Sequence, residues 1–160
     1  MAEHDRVAAQ TVDELLESTL ESVDQAEETV LRLATAMGFD EDDQHRIGIA
    51  VRECLVNAVV HGNRYHSRKK VHLTVSRSGE RLEILVGDEG GSFDASKIPD
   101  PLAEENLLRQ SGRGLLMMRA FMDEFQVRPR EPLGTEVRMV KYLVKAGSAN
   151  SFQGISRMRV

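Results

Sequence analysis

The chain has 160 residues, of which 41% are hydrophobic and 29% are charged, and its formal net charge at pH 7 is −5. This composition predicts one soluble globular domain with a sizeable core. The single cysteine excludes an intramolecular disulfide framework, and the composition gives no indication of direct nucleic-acid or membrane binding. The N-terminus lacks the basic and apolar regions of a secretory signal, so we expect a cytoplasmic protein.

The start of the chain is predicted to contain an undecided segment and then a helix. We expect residues 1–21 to form a partly mobile N-terminal segment, within which Leu15 to Leu20 fits either a strand or the end of a helix. The pattern Ser22-x-x-Gln25 matches a capping box, and it predicts a helix from Ser22 to Met37 that ends at Gly38.

A second helix and a hairpin follow. Acidic residues from Asp40 onward predict a helix start, and apolar residues keep the helical period as far as His61. Cys54 lies within that apolar stripe and is predicted to be a core thiol. Alternating apolar residues over 71–76 and 82–86 predict two antiparallel strands joined by a turn.

The C-terminal half is predicted to hold a long loop, a helix and a second hairpin. Residues 87–113 are rich in Gly, Pro, Asp and Ser, and we expect a functional loop with one helical turn from Pro101 to Arg109. We assign residues 22–144 to one domain and residues 145–160 to a disordered tail. The remaining predicted elements are a helix over 115–122 and strands over 124–130 and 135–144.

Three polar side chains share one flank of the predicted second helix. Glu53, Asn57 and His61 follow one another at a spacing that places them on one face. Glu53 is placed to take a proton from a hydroxyl or a water, and the amide oxygen of Asn57 suits Mg²⁺. A solvated helix face would show the same residues, so this pattern needs companion motifs.

Three glycine-containing segments supply those companions. Asp88-Glu89-Gly90-Gly91 follows a predicted strand, and the Asp88 carboxylate can accept a hydrogen bond from an amino group such as that of adenine. Gly90 and Gly91 allow the backbone to approach a ligand closely. Gly112-Arg113-Gly114 precedes a helix whose N–H groups can hold phosphate, and Gly134-Thr135 follows later. Each segment alone is typical of a turn, but the ordered set predicts a nucleotide site. Neither a Walker A loop nor a Rossmann fingerprint occurs.

These motifs resemble those of the GHKL ATPase superfamily over about Val23 to Leu143. The run from Glu53 to Asn63 resembles its N box, the segments at Asp88 and Gly112 resemble its two glycine boxes, and Gly134-Thr135 resembles its terminal Gly-Thr. The small size and the run from Gly112 onward are similar to the anti-sigma-factor serine/threonine kinases of bacterial partner switching. The resemblance implies an α/β (α+β) sandwich, the GHKL or Bergerat fold, in which a mixed, largely antiparallel sheet carries helices on one face.

The resemblance also implies cofactors, partners and site residues. It implies Mg²⁺ and ATP, a small anti-sigma-factor antagonist with a STAS-type domain as phosphoryl acceptor, a sigma factor as rival partner, and a homodimer. It implies that Glu53 is catalytic and that Asn57 holds the metal, and we expect Arg109 or Arg113 to take the place of the arginine that helps phosphoryl transfer in the family. The implied nucleotide contacts are Asn57, His61, Gly62, Asp88, Gly90, Gly91, Gly112, Gly114, Leu115 and Thr135.

Two positions depart from the family pattern and leave two functions open. Ser92 stands where the first glycine box usually has its last glycine, and Gln110 stands where many such kinases carry an arginine. The presence of Glu53 favours a kinase that also sequesters a sigma factor. Gln110 favours a nucleotide-gated binding module of the same fold without effective kinase activity.

Overall fold

A computed structural model of the chain describes residues 9–91 and 114–144, and within these ranges the architecture is a five-stranded sheet with helices. Neighbouring strands pair in the order β1-β2-β3-β5-β4, and every pairing is antiparallel. The strands are β1 Ala9–Leu16, β2 Val71–Ser78, β3 Arg81–Gly87, β4 Glu124–Pro129 and β5 Thr135–Tyr142. The predicted α/β sandwich is confirmed by this arrangement.

The helices cover one face of the sheet and form the core with it. They are α1 Leu20–Met37, α2 Glu41–Val56 and α3 Gly114–Phe121, with a short π-helical turn, Asn57–Gly62, directly after α2. Val71, Leu73 and Val75 alternate toward the helices and join Ile47, Val51 and Leu55 of α2 in one buried cluster. Cys54 lies in the same cluster, where burial raises the pKa of its thiol, so the predicted core thiol is confirmed.

The opposite face of the sheet is polar because strand side chains alternate between faces. Its most connected residue is Arg138 of β5, which contacts Glu83 of β3 at 2.6 Å and Glu124 of β4 at 3.0 Å. These ion pairs tie three neighbouring strands together on the side away from the helices. No helix among the described residues is long and apolar enough to cross a bilayer.

The N-terminal segment differs from its prediction. Residues 9–16 form the edge strand β1, which pairs with β2 over its whole length. The strand thus begins six residues before Leu15, where the sequence left a strand or a helix end open. Helix α1 starts at Leu20, where the side chain of Thr19 accepts a hydrogen bond from Ser22 N. The predicted cap at Ser22 is therefore wrong. The capping residue is Thr19, whose side chain satisfies the N–H group of Ser22 in the first turn of the helix.

The second helix also differs beyond Val56. Its start is as predicted, since the Asp40 side chain caps it by accepting from Asp43 N at 2.8 Å. The predicted helical span as far as His61 is confirmed, but from Asn57 onward the helix is π-helical and no longer α-helical. Such turns occur mostly as single insertions in α-helices and often at functional sites.

Several predictions fall outside the described residues. These are the helical turn at 101–109 with most of the long loop, the N-terminal residues 1–8, and the tail at 145–160. The hairpins and the third helix lie within one or two residues of their predicted bounds.

Candidate functional site

Asp88 lies at the centre of the candidate site, directly after β3. It is 9% exposed, and its N–H donates to the backbone oxygen of Thr135 at 2.9 Å. Its Oδ1 accepts from Gly90 N at 2.9 Å and from Thr135 N at 3.3 Å. Within the described part of the chain no donor contacts Oδ2. One oxygen of this carboxylate is thus fixed by the backbone, and the other is available to a ligand.

The electrostatics of Asp88 follow from its burial. Desolvation raises the pKa of this carboxyl group, while the backbone N–H groups of Gly90 and Thr135 and the positive charges of Arg130 and Lys69 oppose that shift. A carboxylate oxygen accepts hydrogen bonds, and Oδ2 has no donor among the described residues. The free oxygen therefore favours a ligand that presents an N–H group.

Glycines surround Asp88 so closely that a side chain would not fit. A Cβ atom on Gly62 would lie 2.5 Å from the Asp88 carboxylate, and one on Gly134, whose φ is +102°, would lie 1.9 Å from the Asp88 backbone oxygen. A Cβ on Gly90 would lie 2.1 Å from the backbone oxygen of Gly62. Gly91, in contrast, borders open space. Three of the predicted glycines are thus required by packing around one carboxylate.

Glu53 and Asn57 lie one helical turn apart on the segment that ends at Gly62. Both are half-buried, and neither has a hydrogen bond or ion pair with another described residue. At the α-helical rise of about 1.5 Å per residue, Glu53 and Asn57 are separated by roughly 6 Å along the helix axis. His61 is exposed on the π-helical turn. From Gly62, beside Asp88, this segment therefore leads back to two polar side chains that have no partner in the part of the chain that the structure describes.

Two further residues contact the Asp88 segment, and sequence analysis assigned them no role. Asn63 is 1% exposed, and its Oδ1 accepts from Glu89 N at 2.7 Å. The Glu89 carboxylate lies 2.5 Å from His72 Nε2, which in turn lies 3.1 Å from Arg130 Nη2. The hydrogen bond from His72 holds the pKa of Glu89 below its ordinary value, against the opposing effect of partial burial. In the sequence, these contacts were indicated only by the position of Asn63 at the end of the run from Glu53 that resembles the N box.

The remaining predicted site residues divide into two groups. Arg109, Gly112 and Arg113, with the departures Ser92 and Gln110, lie outside the described residues. Gly114 begins α3 and Leu115 lies in its first turn, while Thr135 contacts Asp88 through its backbone. The structure thus brings Gly62, Asp88, Gly90 and Thr135 together, and the ligand roles of all these residues stay predictions.

The antiparallel sheet with helices on one face and a glycine-lined carboxylate at a strand end define an ATPase domain of the histidine kinase-like type. The chain belongs to this family, whose description is histidine kinase-like ATPase domain and whose model matches residues 16–141. The family resemblance predicted from the motifs is therefore confirmed.

Curated relatives lie within the bacterial serine kinases and anti-sigma factors. The chain is 36% identical over 121 residues to the serine-protein kinase RsbW of Bacillus licheniformis. The aligned region covers 72% of this chain and 74% of that protein. It is 32% identical over 99 residues to the anti-sigma F factor of Bacillus cereus strain AH187, covering 61% of this chain and 68% of that protein.

A solved structure gives the same fold. The crystal structure of the RsbU and RsbW domains of a Mycobacterium tuberculosis protein matches with a TM-score of 0.59 and 17% identity. The match covers 84% of this chain and 32% of that longer chain. At this identity the likeness concerns the fold alone.

Proposed function

We propose that this chain is an ATP-dependent protein serine/threonine kinase that phosphorylates a small anti-sigma-factor antagonist and sequesters a sigma factor. The observation that carries the proposal is the Asp88 carboxylate, which is enclosed by glycines and whose Oδ2 has no donor within residues 9–91 and 114–144. The names of the relatives, serine-protein kinase and anti-sigma F factor, agree with it.

The free oxygen of Asp88 would accept the exocyclic amine of adenine. The glycines at 62, 90 and 134 allow the backbone to pack closely around Asp88 and so hold its carboxylate in place, while Gly91 borders open space. The start of α3 at Gly114 offers N–H groups to the phosphates. We infer that the base lies at Asp88 and that the phosphates extend toward α3 and the Asn57 side chain.

The unpaired side chain of Asn57 fits a magnesium ion that accompanies the phosphates. Mg²⁺ prefers oxygen ligands, keeps several waters and is commonly held by few protein groups plus substrate phosphates. When bound, it would neutralise phosphate charge during transfer. The described residues contain no cluster of three or more His, Cys, Asp or Glu side chains that could hold a metal. Asn57 is therefore the proposed protein ligand.

Glu53 would act as the general base. A serine hydroxyl is a weak nucleophile at neutral pH, so a carboxylate that accepts its proton helps as the new bond to phosphorus forms. The Glu53 carboxylate has no partner among the described residues, which leaves it available for that proton. We propose Arg109 or Arg113 as the cation near the transferred group.

The proposed partners are an antagonist with a STAS-type domain, which supplies the acceptor hydroxyl, and a sigma factor that competes with it. A homodimer is also proposed. These proposals depend on the family resemblance and on the words kinase and anti-sigma factor in the names of the relatives.

The test is single-turnover transfer from γ-labelled ATP to a cognate antagonist domain. We expect transfer by the unmutated protein, a loss of about 10²- to 10⁴-fold in Glu53→Gln, and unchanged ATP affinity in that variant. Glu28→Gln, an exposed carboxylate on α1, serves as the matched control and should transfer normally. No transfer by the unmutated protein, despite tight ATP binding and complex formation, would overturn the kinase proposal and leave the nucleotide-gated binding module.

A further inference from the structure

Asn63 joins three segments that are distant in the sequence. Its Nδ2 donates to Ser18 Oγ at 2.9 Å and to the backbone oxygen of Lys70 at 3.0 Å. Its Oδ1 accepts from the backbone N–H of Glu89 at 2.7 Å. The side chain is buried, so each of these bonds replaces water that the amide would otherwise bind. Asn63 therefore links the β1–α1 junction, the start of β2 and the segment after β3.

The backbone on both sides of Asn63 is irregular. The π-helical turn precedes it, and the Asn63 N–H donates to Ala58 O at 2.8 Å across a widened ring. Arg64 and Tyr65 follow with φ values of +53° and +60°, a region that residues with a side chain seldom adopt. Such conformations cost free energy and persist where surrounding contacts determine them. The contacts of the buried Asn63 amide help to hold this backbone, together with backbone bonds such as that from Tyr65 N to Val59 O at 2.9 Å.

The bond from Glu89 N–H acts directly on Asp88. That N–H belongs to the peptide group that begins at the Asp88 carbonyl, so Asn63 fixes the orientation of this peptide plane. Gly134 packs against the oxygen of the same peptide, and Gly62 packs against the Asp88 carboxylate. The peptide is thus held by hydrogen bonding on one side and by close packing on the other.

We propose that Asn63 is a positioning residue that sets selectivity for adenine by fixing the Asp88 carboxylate. It acts through Asp88 and does not contact the nucleotide. The proposal rests on the proposed nucleotide site at Asp88. Adenine presents an amine where guanine presents a carbonyl oxygen, so a fixed carboxylate accepts a hydrogen bond from ATP and repels GTP. A carboxylate that is free to move discriminates less between them.

The experiment measures the ratio of the GTP to the ATP dissociation constant by calorimetry. We expect Asn63→Ala to lower this ratio by roughly 3- to 10-fold, the effect of one lost buried hydrogen bond. Asn63→Asp keeps an acceptor for Glu89 N–H and should restore most of the ratio. Ser18→Ala removes another partner of Asn63 and leaves the Glu89 bond, so it should lower the melting temperature without changing the ratio. A smaller folded fraction lowers the apparent affinity for ATP and for GTP by the same factor. A purely structural role of Asn63 would therefore leave the ratio of the two dissociation constants unchanged.

The outcomes separate this inference from the site itself. If Asp88→Asn leaves ATP affinity unchanged, the proposed nucleotide site is wrong. If Asp88→Asn weakens ATP binding and Asn63→Ala keeps the unmutated ratio, the role of Asn63 is refuted and the site stands. Hydrogen exchange on the unmutated protein covers the case in which Asn63→Ala does not fold. The Glu89 amide should be protected there without nucleotide, and rapid exchange would refute the proposal.

Discussion

Replacing Gly62 by alanine tests the packing around Asp88 with a single added carbon atom. The new Cβ would lie 2.5 Å from the Asp88 carboxylate, and ordinary contact begins at 3.4 Å, so the carboxylate must retreat by about 0.9 Å. A shift of that size would disturb the geometry of its bonds from Gly90 N and Thr135 N, at 2.9 and 3.3 Å. The backbone has little room to relax, because a Cβ at Gly90 would already lie 2.1 Å from the Gly62 oxygen.

The expected cost of Gly62→Ala has two parts. Overpacking should lower the free energy of unfolding by about 1–3 kcal/mol. Loss of a hydrogen bond to a charged group should weaken ATP binding by about 1.5–3 kcal/mol, or roughly 10- to 150-fold. Calorimetric titration gives the second quantity, and urea unfolding gives the first.

Gly48→Ala is the matched control for this measurement. Gly48 lies within α2, and a Cβ there would meet its nearest neighbour, Glu27 Oε2, at 3.4 Å, which is ordinary contact. Alanine in a helix interior should stabilise the fold by about 0.5–1 kcal/mol without changing ATP affinity. A folded Gly62→Ala protein that binds ATP as tightly as the unmutated protein would show that packing at Gly62 does not affect the nucleotide site.

Two further predictions concern magnesium and pH. In calorimetry, ATP should bind more tightly with Mg²⁺ than without it, and Asn57→Ala should remove that difference. The metal assignment would be contradicted if the unmutated protein bound ATP equally tightly with and without Mg²⁺, or if elemental analysis found stoichiometric zinc. The hydrogen bond from His72 lowers the pKa of Glu89 from its ordinary value of 4.5. The ionised carboxylate therefore stabilises the fold above pH 4.5. This stabilisation is lost as the pH falls through the lowered pKa of the folded protein. Glu89→Gln should therefore flatten the acid limb of the unfolding free energy measured by urea titration, whereas parallel curves would exclude the effect.

Local patterns in the sequence were enough for most of the elements. The alternation over 71–76 and 82–86 identified the first hairpin because one face of an antiparallel sheet is buried and the other is polar. Asp40 identified the start of α2 because a cap acts on N–H groups only a few residues away. The cap of α1 was misplaced because the capping-box pattern at Ser22 is not used, and the helix begins after Thr19 instead.

Elements that depend on distant contacts were not predictable in this way. Strand β1 is determined by its pairing with β2, which is about sixty residues further along the chain. Its own residues carry no pattern strong enough to identify its full length. The π-helical turn was missed because it keeps an apolar sequence pattern while its backbone widens.

The same distinction holds for the candidate site. The motifs at 53, 57, 88 and 134 were sufficient to predict the family, because their residue types and order can be recognised without coordinates. The enclosure of one carboxylate by glycines from three segments, and the hydrogen bond from the next peptide to the buried Asn63 amide, became visible only in the folded chain. These contacts join groups that are mostly tens of residues apart, so their distances depend on how the sheet and helices pack and not on any local pattern.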